Sequence, residues 1–440
     1  MKRLHIFVFI TAFIISAMST FAQGPVPRPQ SDGLENEFTV DAQLRLRGEY
    51  QNGQGTLRSE GASPDGFISD RARLGLGYRH GGLTFKISGQ HVGTWGSRSL
   101  TDTGDNGQFT LNEAWAQLES RNHQLYAKFG RQQLSYDDDR ILGTLDWNQA
   151  GNFHDAMKVG YRGRGNKLDF IAAFNQTDQS KDGSIYFSGN APYKTMQTLW
   201  YHYGEGRSPF QASVILMNLG QEGGSSPANT KTYYNQTIGT YITYRPLSDL
   251  TVNGTYYHQS GKTADGTKID ANMAAVKVDY TINPKWNVGV GYDWLQGEGN
   301  HANCNKTHAF NVLYGTHHKF YGTMDYFVGN YFRQGGLGLH DIQLNVGFKV
   351  NPRFDMSLAY HCFNSSDAVY NNGEKEHYLG SEIDWQFNWK VMKDVTLLGG
   401  YSVMCPTENM QLIKGGNYKS WQDWAWISIN VSPRIFGIKW

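Results

Sequence analysis

The chain is short of the features that define most other classes of protein. Its 440 residues include three cysteines, an odd number that cannot pair fully, so a disulfide framework does not account for the fold. Cys362 and Cys405 fall near the ends of strands two apart in the expected sheet, about 9 to 10 Å from one another and beyond disulfide reach. No stretch after the N-terminus approaches the roughly 18 apolar residues of a spanning helix, and the mean hydropathy is negative. An excess of charge of one sign is also missing. Once Lys2 and Arg3 are set aside with the N-terminal segment, 38 basic residues face 39 acidic ones, and nothing points to nucleic acid as a partner. There is no helical repeat, low-complexity tract, P-loop or dinucleotide fingerprint.

What the chain does have is strict alternation. From Phe38 to Tyr50, Phe38, Val40, Ala42, Leu44, Leu46 and Tyr50 alternate with Thr39, Asp41, Gln43, Arg45, Arg47 and Glu49. Side chains of a strand point alternately to opposite faces, so this strand has one oily face and one face too charged for a protein core. The pattern recurs along nearly the whole chain, as expected of a transmembrane β-barrel with lipid outside and water inside. The 26 tyrosines, 12 tryptophans and 51 glycines suit aromatic girdles and tightly curved strands. Residues 1–22 read as a secretory signal peptide: Lys2 and Arg3, a mostly apolar run from Leu4 to Met18, then small residues at a cleavage site. Residues 23–37 read as a periplasmic lead-in and 38–440 as the barrel. The terminal Trp440 resembles an outer-membrane assembly signal.

Turn signals give the strand number. Eight tight hairpins are expected at His80-Gly81-Gly82, Arg121-Asn122, Gly163-Arg164-Gly165, Gly204-Glu205-Gly206, Pro246-Leu247-Ser248, Asn283-Pro284, Asn351-Pro352 and Lys393-Asp394. Nine longer polar connections lie near residues 51–65, 94–107, 135–154, 177–192, 221–230, 261–267, 297–338, 364–376 and 406–419. Seventeen connections join about 18 antiparallel strands, with short periplasmic turns and long extracellular loops. The runs His308–Tyr314 and Lys319–Phe327 look strand-like, but counting either as wall would break the parity set by Asn351-Pro352. Residues 297–338 are therefore read as one long loop folded partly into the lumen.

Parity then sorts the charges. The inward basic set is Arg45, Arg47, Arg71, Arg73, Lys86, Lys128, Lys158 and Arg162, with Glu113 among them; the inward acidic set of the opposite half includes Asp279, Asp293, Glu382 and Asp384. A pore lined in this way concentrates counter-charged solutes, and clustered arginines suit carboxylates because the planar fork bonds in bidentate fashion.

Gly130-Arg131-Gln132-Gln133-Leu134-Ser135-Tyr136, followed by Asp138, Arg140 and Gly143, resembles a motif of the alginate-export family of outer-membrane proteins. Leu145-Asp146-Trp147 with Gly151, Phe153-His154-Asp155-Ala156, His318-Lys319-Phe320-Tyr321-Gly322, Met324-Asp325-Tyr326-Phe327, Gly338-Leu339 with Asp341, and Leu379-Gly380-Ser381-Glu382 continue the likeness over roughly residues 38–432. Asp137 stands where family members often have Gly, and Asn152 where Arg is common. The resemblance implies an eighteen-stranded monomeric barrel of the Gram-negative outer membrane with an electropositive constriction, passing an anionic polysaccharide outward.

Other motifs are weaker. His301, Cys304 and His308 have spacing that could suit a soft metal but lack a paired-cysteine element. Asp137-Asp138-Asp139 lacks the alternating ligands of a calcium loop and reads as a carboxylate cluster paired with Arg140. His202 and His258 have no accompanying nucleophile motif. No metal, cofactor or enzymatic activity is expected. The chain reads as a passive channel for anionic saccharides or polysaccharides such as alginate through an Arg/Lys-lined pore, with an anionic saccharide or small anionic solute, outer-membrane lipid and periplasmic delivery partners as the partners expected. The alternatives are a general small-solute porin and a non-conducting receptor or adhesin barrel.

Overall fold

A computed structural model describes residues 36–97, 108–179, 186–206, 208–299, 306–332 and 336–440. The stretch expected to be a signal peptide, all but the end of the expected lead-in, and His301 and Cys304 lie outside the described residues.

Alternation becomes wall. The strands are β1 (Glu37–Asn52), β2 (Asp65–His80), β3 (Leu83–Thr94), β4 (Gln108–Glu119), β5 (Leu125–Gln132), β6 (His154–Gly163), β7 (Asn166–Phe174), β8 (Thr195–Tyr203), β9 (Phe210–Ser226), β10 (Asn229–Leu247), β11 (Leu250–Lys262), β12 (Lys268–Thr281), β13 (Trp286–Leu295), a two-residue β14 (Lys306–Thr307), β15 (Leu339–Asn351), β16 (Phe354–Asn371), β17 (Glu374–Met392), β18 (Val395–Pro406), β19 (Gln422–Val431) and β20 (Arg434–Lys439). β14 belongs to a loop, while β19 and β20 are halves of one strand broken at Ser432-Pro433, so eighteen strands form the wall. Each pairs antiparallel with the next, and β1 pairs with both β2 and β19–β20, closing the barrel and leaving no edge. β13 pairs directly with β15, so the described residues between them contribute no wall strand.

The outward face carries Leu44, Leu74, Val290, Ile342, Leu358, Ile383 and Ile427, each 45 to 54 % exposed. Such an apolar band has no place in water, and it is the face a barrel offers to acyl chains. Aromatic pairs mark its short-turn border: Trp286 with Phe348 at 4.3 Å between ring centres and Tyr78 with Trp440 at 6.5 Å. The break at Ser432-Pro433 shifts the register between Val40 and Asp41, which keeps Phe436 and Ile438 opposite Val40 and Phe38 on the lipid side.

All eight expected tight turns occur. Two of the nine expected loops do not: around 221–230 and 364–376 the strands run on, ending in two-residue turns at Pro227-Ala228 and Asn372-Gly373. At the second, Asn372 and Gly373 adopt φ of 50° and 85°. That is the left-handed pair a primed hairpin turn requires, and Asn-Gly supplies it at little strain; the polar run around it looked like loop because strands rising beyond the lipid need no apolar face.

Candidate solute pathway

The interior of the long-loop half is filled by two connections. Residues 133–153 and 306–332 bring Leu134, Ile141, Leu142, Phe310, Tyr321, Met324, Tyr326, Phe327 and Phe332 into a buried cluster. The loops meet in a short ladder: Gly143 N–H donates to the Tyr314 carbonyl (3.1 Å), Tyr314 N–H to Ile141 (3.1 Å) and Thr316 N–H to Asp139 (2.8 Å). A helix α1 (Glu408–Lys414) closes over them, capped by Thr407 and tied down by Lys414 Nζ, which donates to the Tyr326 carbonyl. Burial pushes the Lys414 ammonium down to about 8.

Each loop uses the charge of the wall it meets. Residues 133–153 cross the lumen as a strap. At one end Asp137 accepts from Trp200 Nε1 (3.0 Å) and from Ser213, on β8 and β9. Burial pushes its carboxyl up to about 6, with Asp138 and Asp139 adding to the rise. Midway, Arg140 donates to Asp138 (2.7 Å), to Tyr321 Oη (3.0 Å) and to Asp293 on β13 (2.8 Å), and its guanidinium lies 4.0 Å from the centre of the Phe320 ring. At the far end the tip reaches the arginines of β1 and β2. Arg45 donates to the carbonyls of Asp146 (2.6 Å) and Asn148 (3.0 Å) and to Gln149 Oε1, Arg47 donates to the Trp147 carbonyl (2.8 Å), and Arg71 to Asp146 Oδ1 (2.9 Å). The loop over 306–332 offers the opposite polarity to the acidic wall: Met324 N–H donates to Glu382 Oε1 (2.8 Å) and the Thr323 hydroxyl to Asp384.

This corrects the expectation for several residues. Arg71, Asp293, Glu382 and Asp384 face inward but are at most 3 % exposed; they do not line open water, because the loops cover them. Arg45 is 9 % exposed, and Arg47 is paired with Glu49 at 2.7 Å, a partner whose charge opposes its own. Strand register brings the arginines together as expected, with Gln43 opposite Arg73, Arg45 opposite Arg71 and Arg47 opposite Ser69. The basic groups less covered lie along β2 to β7. Lys86 pairs with Glu113, Lys128 sits 3.8 Å above the Trp115 ring, Lys158 lies 3.8 Å from Asp169, and Arg162 is exposed over Tyr126. Across the barrel Asp279 pairs with Lys277 at 3.2 Å.

The motif blocks converge on these clasps. Gly130 has φ 114°, and a Cβ there would stand 2.2 Å from the Ala114 carbonyl oxygen, so only glycine fits. Arg131 forms a two-point bond with Asp155 (2.8 Å each), and Gln132, fully buried, donates to the Ala156 carbonyl, fixing where the strap leaves the wall. Asp137 occupies φ 56°, which explains the usual glycine there; Asp tolerates that region. Asn152 ties the strap to the Tyr314 carbonyl (3.2 Å). His318 stacks on Trp147 at 4.2 Å, and a side chain at Gly322, φ 83°, would strike the Glu382 carboxylate at 2.7 Å. The Asp triplet is not a shared site: Asp138 goes to Arg140, Asp139 to Ser135 and Lys319, and Asp137 to the wall. The partnership of Arg140 with Asp293, 153 residues away, had no local signal.

Two water-accessible recesses remain against β1 and β2. One, about 320 Å³, is bounded by Arg47, Gln51, Ser69, Asn148, Gln149 and Asp325. The other, about 560 Å³ and toward the short-turn end, is bounded by Thr39, Asp41, Gln43, Arg73, Lys86 and Trp115. Between them lies the Arg45–Arg71 level with the strap tip laid across it.

The model of the family described as alginate export matches residues 36–414. The chain belongs to the alginate-export family. Solved barrels share its fold: OccK9 (OpdG) of Pseudomonas aeruginosa, 12% identical with a TM-score of 0.61, over 92% of this chain and 98% of that one; OccAB4 of Acinetobacter baumannii, 11% and 0.61, over 93% and 100%; and P. aeruginosa OpdK, solved with vanillate, 12% and 0.56, over 91% and 99%. No curated protein matches the sequence. As a member of this family the chain is an outer-membrane channel barrel of a Gram-negative envelope, its short turns periplasmic and its long loops extracellular.

Proposed function

We propose that the channel passes hydrophilic anions passively, with sugar acids and short anionic saccharides as its solute class. The observation that carries this reading is the asymmetry of the wall. Lys86, Lys128, Lys158 and Arg162 lie on one arc of the lumen, Lys86 and Lys158 paired with Glu113 and Asp169 but Lys128 and Arg162 set over aromatic rings, and Asp279, Asp293, Glu382 and Asp384 lie on the other, Asp279 paired with Lys277 and the other three bound by loop donors. The field left over favours anions on the basic arc. Family membership supports a saccharide, and the vanillate of OpdK, a small carboxylate in a barrel of the same fold, is in keeping with a small anion. The strap across the lumen favours short solutes over a long polymer and is the specific support for the second reading, a small-solute porin.

The test is the reversal potential of the refolded channel in a planar bilayer under a salt gradient, with glucuronate oligomers added. The anion reading expects anion selectivity that falls in Lys86→Gln/Lys128→Gln/Arg162→Gln and block by the oligomers. Equal selectivity in wild type and triple variant counts against it.

A further inference from the structure

The two recesses follow the same two strands, and a single level of side chains separates them. Gln43 and Arg73 bound the periplasmic recess, Arg47 and Ser69 the extracellular one, and the intervening cross-strand pair is Arg45 with Arg71. What seals this level is chemically a carboxylate and a row of carbonyl oxygens: Asp146 on Arg71 and Arg45, and the carbonyls of residues 146–148 on Arg45. Asp146 is 54 % exposed at its side chain, so it is reachable from water while its partner Arg71 is wholly buried.

The seal is incomplete in a specific way. Arg71 donates through Nη1 to Asp146 Oδ1 and to the Gln149 carbonyl (3.3 Å), yet among the described residues Nε and Nη2 have no hydrogen-bond partner although the side chain is 0 % exposed. Buried donors left unmade are costly, and the Nε–Nη2 edge of a guanidinium is one that a carboxylate binds with two parallel bonds. Arg45, Arg71 and Arg73 share this level or adjoin it, and among the described residues Asp146 is the one acid paired with them. The site therefore holds more positive charge than its own loop neutralises.

We infer that the Arg45–Arg71 level is a carboxylate-binding gate for which Asp146 is the built-in occupant: a solute carboxylate takes the arginine edge, the strap tip over residues 145–150 lifts, and the two recesses join. The inference rests on the anion reading above. It makes the solute its own key, since a neutral sugar of the same size offers nothing to displace Asp146.

The experiment is hydrogen exchange of the refolded full-length mature barrel, reading the amides of residues 145–150, with sodium glucuronate or glucose as the probe, in wild type, Asp146→Asn and Arg71→Gln. Glucuronate is expected to raise exchange at the tip in wild type with saturation, and glucose to leave it unchanged. Asp146→Asn is expected to raise basal exchange at the tip by roughly tenfold, the loss of one charge-assisted bond, and Arg71→Gln to abolish the response to glucuronate. If glucuronate carries current in a bilayer while tip exchange stays constant, the gate is overturned and the channel reading stands. If tip exchange responds but glucuronate carries no current, the carboxylate site stands and the transport reading falls. Asp146→Asn keeps the wall intact, so its result decides the matter even where Arg71→Gln assembles poorly.

Discussion

Arg140 is the point where the strap is fastened to the acidic wall, and Arg140→Met is the sharpest test of how the lumen is held. Methionine keeps an unbranched stem against Phe320 but removes the charge. Asp293, 2 % exposed, would then keep, among the described residues, only Gln343 Nε2 (2.9 Å) as a donor, with Asp341 directly across the strand pair. Breaking one side of a buried ion pair costs about 3–5 kcal/mol. At 1.4 kcal/mol per factor of ten, the ratio of docked to released strap falls by roughly two to three and a half powers of ten. The barrel itself should stand, because wall hydrogen bonds do not pass through Arg140 and local opening need not involve the whole fold. Hydrogen exchange at residues 139–143 and 314–316, where the loop ladder lies, should rise steeply, and single-channel records should flicker between levels. Adding Asp293→Leu removes the stranded carboxylate and should recover most of the protection. Wild-type exchange in Arg140→Met, or a double variant no better protected than the single one, would refute the account.

The strap should also respond to pH through Asp137. Its docked value of about 6 lies above the ordinary 3.8, so docking is strongest below pH 3.8, weakens as pH rises to 6 and is flat above; two units amount to about 3 kcal/mol. Open probability should climb across that window, and a pH-independent wild type, or the same slope in Asp137→Asn, would sink the claim. Gly130→Ala places a methyl group against the Ala114 carbonyl at positive φ and should cost at least about 3 kcal/mol, visible as a lower urea midpoint in detergent; an unchanged midpoint would contradict the strand geometry given for β5.

The wall was legible because a period of two admits one register: Arg45 cannot face water without Leu44 and Leu46 facing lipid. The inward fold of residues 297–338 was legible for a similar reason, since the Asn351-Pro352 turn left no parity for another strand. What the sequence did not disclose was how the inward charges are spent. Arg71 and Glu382 read as channel lining by parity, and parity is right about the face, but whether a charged side chain meets water or a loop depends on contacts such as Arg140 with Asp293 that join distant positions. The clue was present in Leu145-Asp146-Trp147, an acid and an aromatic in a connection otherwise read as an outward loop. The hairpin at Asn372-Gly373 was missed because its flanking strands, beyond the lipid, mix polar and apolar residues without strict alternation.

The seam of the barrel sets a constraint on how the molecule comes into being. Gln43 donates to Asn430 across 387 positions of chain, and Arg434 meets Asp41 across 393. Every other wall pairing joins strands that follow one another along the wall, most of them as hairpins and the rest, such as β5 with β6 and β13 with β15, across one long connection. This one requires the first and last strands to find each other after the rest of the sheet has curled, and the entropy of that closure precedes any return from its hydrogen bonds. Until it happens, β1 and β19 each present an unpaired edge in a setting where unmet backbone groups are expensive. Slow, single-step closure at this seam should therefore dominate the refolding time, and a partner that shelters those two edges would accelerate assembly without touching the pathway through the lumen.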